Sequence, residues 1–359
     1  MKKLMAVAAL SATSLLVVGC GGKPKIPANT VAAAYVDLDK LVWNAADVVE
    51  DVIDELPKEM QKAIDDFMKD HKKDIKAVDA QWALLAVTLP KEGFGIGSPK
   101  GTLVVKCDCE KKIPSADKSL KDLMPMFGLT RKGDEKGCDI YEGDVPVLGP
   151  SYIAVVEGKY VIRTDKDEGL MKSMIALYKD GDGEKSKDFG DLTDLDGDTV
   201  ARFQVAEAET IAKITGMKEQ IEKFGKEIDD EDLADMLLDI ENVTLDVNFS
   251  DDVLGLKLAV DAGSKELAKV VESLFNIVAF ANRVYVDAAL LDAGGTTSML
   301  RKVGADSMTG KTVAKGIKAA AKYLREAAES DRSGSTATLT YELDTDDLIE
   351  ALVPAFFAE

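Results

Sequence analysis

Residue types that do chemistry are sparse in this chain, and their spacing narrows the chemistry further. The single histidine, His71, sits among Asp70, Lys72 and Lys73. A nucleophile–histidine–carboxylate triad could draw on no other imidazole, and these neighbours put it on a solvated helix face. Ser115-Ala116-Asp117-Lys118 fits Ser-x-x-Lys, but the companion motifs of penicillin-recognising enzymes are missing, so it reads as a helix start. No Gly-x-Ser-x-Gly elbow occurs. Ala305-Asp306-Ser307-Met308-Thr309-Gly310-Lys311-Thr312 is a relaxed phosphate loop with Ala for its first Gly. A working loop of this kind follows a buried strand, and Thr296–Val303 does not read as one. Thr309-Gly310 is better read as a loop before a helix at 312–329. Asp180-Gly181-Asp182-Gly183 and Asp194-Leu195-Asp196-Gly197-Asp198 invite a calcium reading. With Gly197 in the sixth place, the first and last ligand places of an EF-hand fall on Leu192 and Phe203, which cannot ligate. No pair among the 65 acids is marked out as an acid/base couple. The expectation is a chain without catalytic residues, cofactor or metal.

The N-terminus is more informative. Lys2 and Lys3 precede an uncharged, mostly apolar run, Leu4–Val18, and then Val17-Val18-Gly19-Cys20. The run is short of the roughly 20 residues that span a bilayer and has the layout of a signal peptide. The tetrapeptide resembles the lipobox of bacterial lipoproteins. That resemblance implies cleavage before Cys20, a diacylglyceryl group on its sulfur and acylation of the new amine. Two or three chains, at about 0.8 kcal/mol per buried CH₂, give stable attachment where one does not. Gly21, in place of Asp, implies sorting to the outer membrane, facing the periplasm. Residues 1–19 are then a signal peptide and 20–27 a lipid-anchored tether.

That compartment is oxidising, so disulfides are permitted. Cys107 and Cys109 flank Asp108 in a strand-like segment and share one face. Either could meet Cys138 on a neighbouring strand, and the choice stays open. Cys-x-Cys with Cys138 lacks a fourth metal ligand.

The elements follow one recurring phrase: a β-rich run, an acidic or hydroxyl residue, then an amphipathic helix. Val31–Val36 leads through Asp37-Leu38-Asp39 into such a helix. Lys159–Arg163, Thr199–Val205, Leu256–Val260 and Thr336–Leu343 do the same. The acids and hydroxyls accept from free backbone N–H groups at helix starts. Runs 81–89 and 101–109, 152–156 and 160–163, and 243–248 and 254–260 are separated by Gly-, Ser- or Asp-bearing turns and imply antiparallel pairs. Residues 267–291 are apolar nearly all round, which predicts a buried helix, with a groove for an apolar ligand as the other possibility. The stretch 181–197 reads as an acidic linker. The expected fold is α+β: two similar halves, 28–180 and 198–359, each an antiparallel sheet packed against helices. The opening Ile26-Pro27-Ala28-Asn29-Thr30-Val31 with Val36-Asp37-Leu38 resembles uncharacterised α+β bacterial lipoprotein families, which implies a fold and no active site.

A net charge of −20 over 359 residues disfavours nucleic-acid binding, and 46% apolar residues suffice for a core. The functional expectation is a lipid-anchored cell-envelope protein with a non-catalytic interaction, scaffolding or binding role and an envelope protein as its partner. The alternatives are a carrier of a lipid or other apolar ligand between sheet and helices, and a carboxylate-based envelope enzyme.

Overall fold

A computed structural model describes residues 23–45, 80–89, 99–107, 128–145, 149–181, 186, 188–215, 219, 223, 238–250, 253–302, 323 and 327–346. They form an α+β structure of two compact units. One takes in the described residues of 1–42, 72–196 and 200–243, the other those of 43–71, 197–199 and 244–359.

In the first unit, β1 (Thr30–Asp37), β2 (Ala80–Thr88), β3 (Lys100–Cys107), β4 (Thr130–Glu135), β5 (Cys138–Val145), β6 (Gly149–Val156), β7 (Tyr160–Asp165) and β8 (Thr199–Val205) lie in the order β8-β1-β2-β3-β7-β6-β5-β4. Every neighbouring pair is antiparallel. The register sets one row, Tyr35, Leu84, Val104, Ile162, Ala154 and Ile140, across six strands. All six side chains are buried, because alternate residues of a strand share a face. Helix α1 (Glu168–Lys179) covers this face against β6 and β7, burying Met171, Met174, Ile175, Leu177 and Tyr178. Each such side chain contributes about 1.5–3 kcal/mol by leaving water. Asp167 caps α1 by accepting from Leu170 N–H at 3.0 Å. A shorter helix, α2 (Ala208–Thr215), follows β8.

In the second unit, β9 (Asn242–Phe249), β10 (Val253–Asp261), β11 (Ala328–Ser333) and β12 (Thr336–Asp344) lie in the order β11-β12-β10-β9. Helix α3 (Lys265–Lys302) packs on β11 and β12. Ser264 caps it, accepting from Leu267 N–H at 3.2 Å.

Several expectations change here. The boundary between halves does not follow the linear order: β8 adds to the free edge of β1, so residues 200–215 lie in the first unit. The stretch 181–197 is more than a solvated linker. Phe189 and Leu192 are buried in the first unit's core, Gln204 Nε2 donates to Asp188 O at 3.0 Å, and Arg202 donates to Asp191 O and Asp194 O. The helix expected at 312–329 overruns β11. Strands β4, β5 and β11 went unmarked as units because Thr130–Glu135 and Ala328–Ser333 carry charge where an inner strand carries apolar alternation. Both are sheet edges, where charge deters edge-to-edge pairing.

Candidate functional site

Among the described residues, Cys138 lies at the start of β5 and is buried in the core as a thiol outside any disulfide. The expected Cys138 bridge to Cys107 is geometrically barred. β5 stands three places from β3 in the sheet, about 14 Å at roughly 4.8 Å per strand. A disulfide needs Cα atoms within about 7 Å. Cys109, the alternative partner, lies outside the described residues. So do Cys20, His71, Ser115 and the loop 305–312. No helix among the described residues is long and apolar enough to cross a membrane, and none of their His, Cys, Asp and Glu residues cluster as a metal site would.

The ionisable side chains of the first unit form a ladder at its surface. Lys132 lies 3.8 Å from Glu142 and 3.6 Å from Glu168, Lys166 pairs with Glu142, and Lys172 meets Glu168 at 2.8 Å. The hydrogen bond from Lys166 pulls the Glu142 pKa down, and that from Lys172 pulls Glu168 down. An acid/base pair of carboxylates needs shifts that diverge. These two move together and both stay ionised. A second cluster sets a buried cation against a half-buried acid: Arg163, 8% exposed, meets Asp165 Oδ1, on a side chain 33% exposed, at 2.8 Å and donates to Ser151 Oγ at 2.9 Å. Asp165 Oδ2 accepts from Gly101 N–H at 2.6 Å. It ties β3, β6 and β7 together.

Two features stand apart from this structural chemistry. The first is the seat of Lys23–Ile26, the segment expected to be the tether. The Tyr178 hydroxyl accepts from Lys25 N–H at 3.1 Å and donates to Lys25 O at 2.9 Å. Lys25 Nζ donates to Leu177 O at 3.0 Å, so an ammonium sits at the negative end of the α1 dipole. Ser186 N–H donates to Ile26 O, Lys23 meets Asp194 at 2.9 Å, and Ile26 is buried. Burial pushes the Tyr178 pKa up, so the hydroxyl keeps the proton it donates. Sequence alone read Lys23–Ile26 only as part of a short, Pro/Gly-rich tether. The signal that could have found the seat is Tyr178, a polar-tipped ring on the buried face of an amphipathic helix.

The second feature is the outer face of α3. Leu267, Ala268, Phe275 and Ala279 face the sheet and are buried. Arg332 Nε to Glu272 at 2.9 Å and Ser330 Oγ to Asn276 at 2.8 Å hold the helix to β11. The opposite face carries Val270, Leu274, Ile277, Val278 and Val284 in the open, with Ile277 63% exposed and Phe280 67%. The all-round apolar pattern therefore does not make a buried helix over residues 267–284: one face is core and the other meets solvent. Residues 270, 274, 277, 281 and 284 recur at alternating steps of four and three, the spacing of a helix-on-helix seam. On β10, Leu254 and Leu256 are exposed on the sheet face that also carries Leu258 and Val260.

No protein-family model and no curated protein sequence matches the chain. Among solved structures, crystal form III of TP0453 aligns at a TM-score of 0.40 with 9% identity, covering 93% of this chain and 99% of that one. Crystal form I aligns at 0.38 with 9% identity over 94% and 99%, and crystal form IV at 0.38 with 10% over 92% and 97%. Likeness at this level carries nothing on what the chain does.

Proposed function

We propose that this chain is a lipid-anchored protein of the bacterial cell envelope, held by Cys20 on the periplasmic side of the outer membrane, whose role is to dock an apolar helical segment of an envelope protein. The single observation behind the docking role is the outer face of α3. Soluble proteins rarely leave a contiguous stripe of large apolar side chains in water unless it meets something. The four–three spacing suits a helix laid along the seam, and the flanking seam positions are Val271, Ser273, Val278 and Phe280, none of them acidic. An acidic partner is thus not repelled there, although the whole chain carries −20. The anchoring half of the reading rests on Lys2-Lys3, the apolar run and Val17-Val18-Gly19-Cys20. In this reading the chain has no catalytic residue and no cofactor, and the two units are similar halves. Each has an antiparallel sheet with a helix laid on it, α1 in one and α3 in the other.

One observation favours a second reading, a carrier. Leu254 and Leu256 leave an apolar strip of β10 uncovered beside α3, where an acyl chain could lie. Native mass spectrometry of the Cys20→Ser chain, with a photo-crosslinker at position 277 of the anchored protein in its own membrane, separates the two. Docking predicts no lipid at one-to-one and a discrete protein adduct that Leu274→Asp abolishes. Lipid bound at one-to-one overturns docking in favour of the carrier. Adducts with phospholipid alone overturn both.

A further inference from the structure

We infer that the seat of the tether is also a membrane-facing surface. It holds the first unit on the bilayer with the C-terminal end of α1 toward the headgroups, and its lysines meet their phosphates. This rests on the lipid anchor proposed above. The chain is gripped from Lys23 onward by Asp194, Tyr178, Leu177 and Ser186. Only Gly21 and Gly22 lie between Cys20 and Lys23, and the three steps of chain, at most about 3.6 Å each, span about 11 Å. A flexible tether would let the body wander. This one fixes which end of the unit lies beside the acyl chains.

The charge at that end suits the position. Lys23, Lys25, Lys136 and Lys179 gather around the last turn of α1. Lys25 Nζ donates to Leu177 O, Lys179 Nζ donates to Lys136 O, Lys136 pairs with Asp180, and Lys23 pairs with Asp194. Of the four, Lys23 and Lys136 meet aspartates and Lys25 and Lys179 meet backbone carbonyls, in a chain whose acids outnumber its bases by 65 to 45. Headgroup attraction fades within a Debye length, about 8 Å at physiological salt. The short reach of the tether keeps these ammonium groups near that range, and anionic lipids attract basic groups held so close.

The test uses the processed, full-length chain in vesicles of phosphatidylethanolamine and phosphatidylglycerol bearing a nitroxide on the headgroup. A fluorescent amino acid is placed at Glu157, in the β6–β7 turn at the lysine end, or at Asp144, which pairs with Pro150 at the far end. Seven residues of β6 separate the two levels, about 23 Å at roughly 3.3 Å per residue. The expected result is at least fivefold stronger quenching at 157 than at 144, falling by half or more in Lys23→Glu/Lys179→Glu. Equal quenching, or stronger quenching at 144, overturns the orientation. Quenching unchanged by charge reversal overturns the phosphate contact. The mass of the same sample reports on the anchor: an acylated chain with the wrong quenching order sinks this inference alone, whereas a chain without acyl groups sinks the anchor and this inference with it.

Discussion

A hydroxyl that both accepts from and donates to one backbone residue makes Tyr178 the keystone of the tether seat. Tyr178→Phe keeps the ring and removes both bonds, so it should cost about 1–2 kcal/mol and expose Lys23–Ile26 to limited proteolysis. Unchanged protease resistance would show that Ile26 burial alone holds the segment. Asp165 has a different role. Arg163 is buried beside it, and an ionic group deprived of its partner inside a protein is costly. Asp165→Ala should destabilise the fold by about 3 kcal/mol in denaturant unfolding, while Arg163→Met should come near to neutral. Tyr35 makes a pH prediction. Burial first, then Asp37 and Asp39, push its pKa up to about 12, so the fold favours the neutral phenol. Its contribution is complete below the ordinary phenol value near 10 and is lost as pH rises from there through about 12. Absorbance at 295 nm should show Tyr35 ionising after the exposed tyrosines, and Tyr35→Phe should delete that late step. The sequence marked Asp165 only as a helix-start acid and gave Tyr178, Arg163 and Tyr35 no role. Their roles come from register and burial, which depend on strands far apart in the chain.

The helix starts were more legible. Asp37 accepts from Lys40 N–H at 2.9 Å and Ser264 from Leu267, as the strand–acid–helix phrase implied. At α1 the acid that first follows the Lys159–Arg163 run, Asp165, is already engaged by Arg163 and Gly101, and Asp167 caps the helix instead. The inner strands β2, β6, β7, β9, β10 and β12 were readable from apolar alternation, and the charged edge strands were not. For α3, composition gave the helix but not which side would be covered. A single helix laid on β11 and β12 can bury one face only, and nothing within residues 265–302 names what meets the other. Leu274→Asp on that outer face should leave the melting temperature within about 1–2 °C of the parent, since surface changes move stability by about 0.5 kcal/mol or less, while abolishing the partner adduct formed from position 277. Phe275→Ala on the inner face should cost about 3–5 kcal/mol. Similar losses from both would mean that the outer face is core after all.

For the molecule as a whole, the proposed anchor and the acidic body pull in different directions. A net charge of −20 keeps most of the surface away from anionic lipid, and the seat of Lys23–Ile26 gathers lysines against that trend. The α+β class followed from the alternation of strands and helices. The placement of β8 did not, because β1 presents an edge to it across the intervening chain 38–198. The anchor is the proposition on which localisation, orientation and docking all depend, and the intact mass of the protein extracted from its native membrane tests it most directly. A lipid-anchored protein would begin at Cys20 and be heavier than its sequence by a diacylglyceryl group and a further acyl chain. A chain that keeps Met1 and carries no added mass would contradict the anchor.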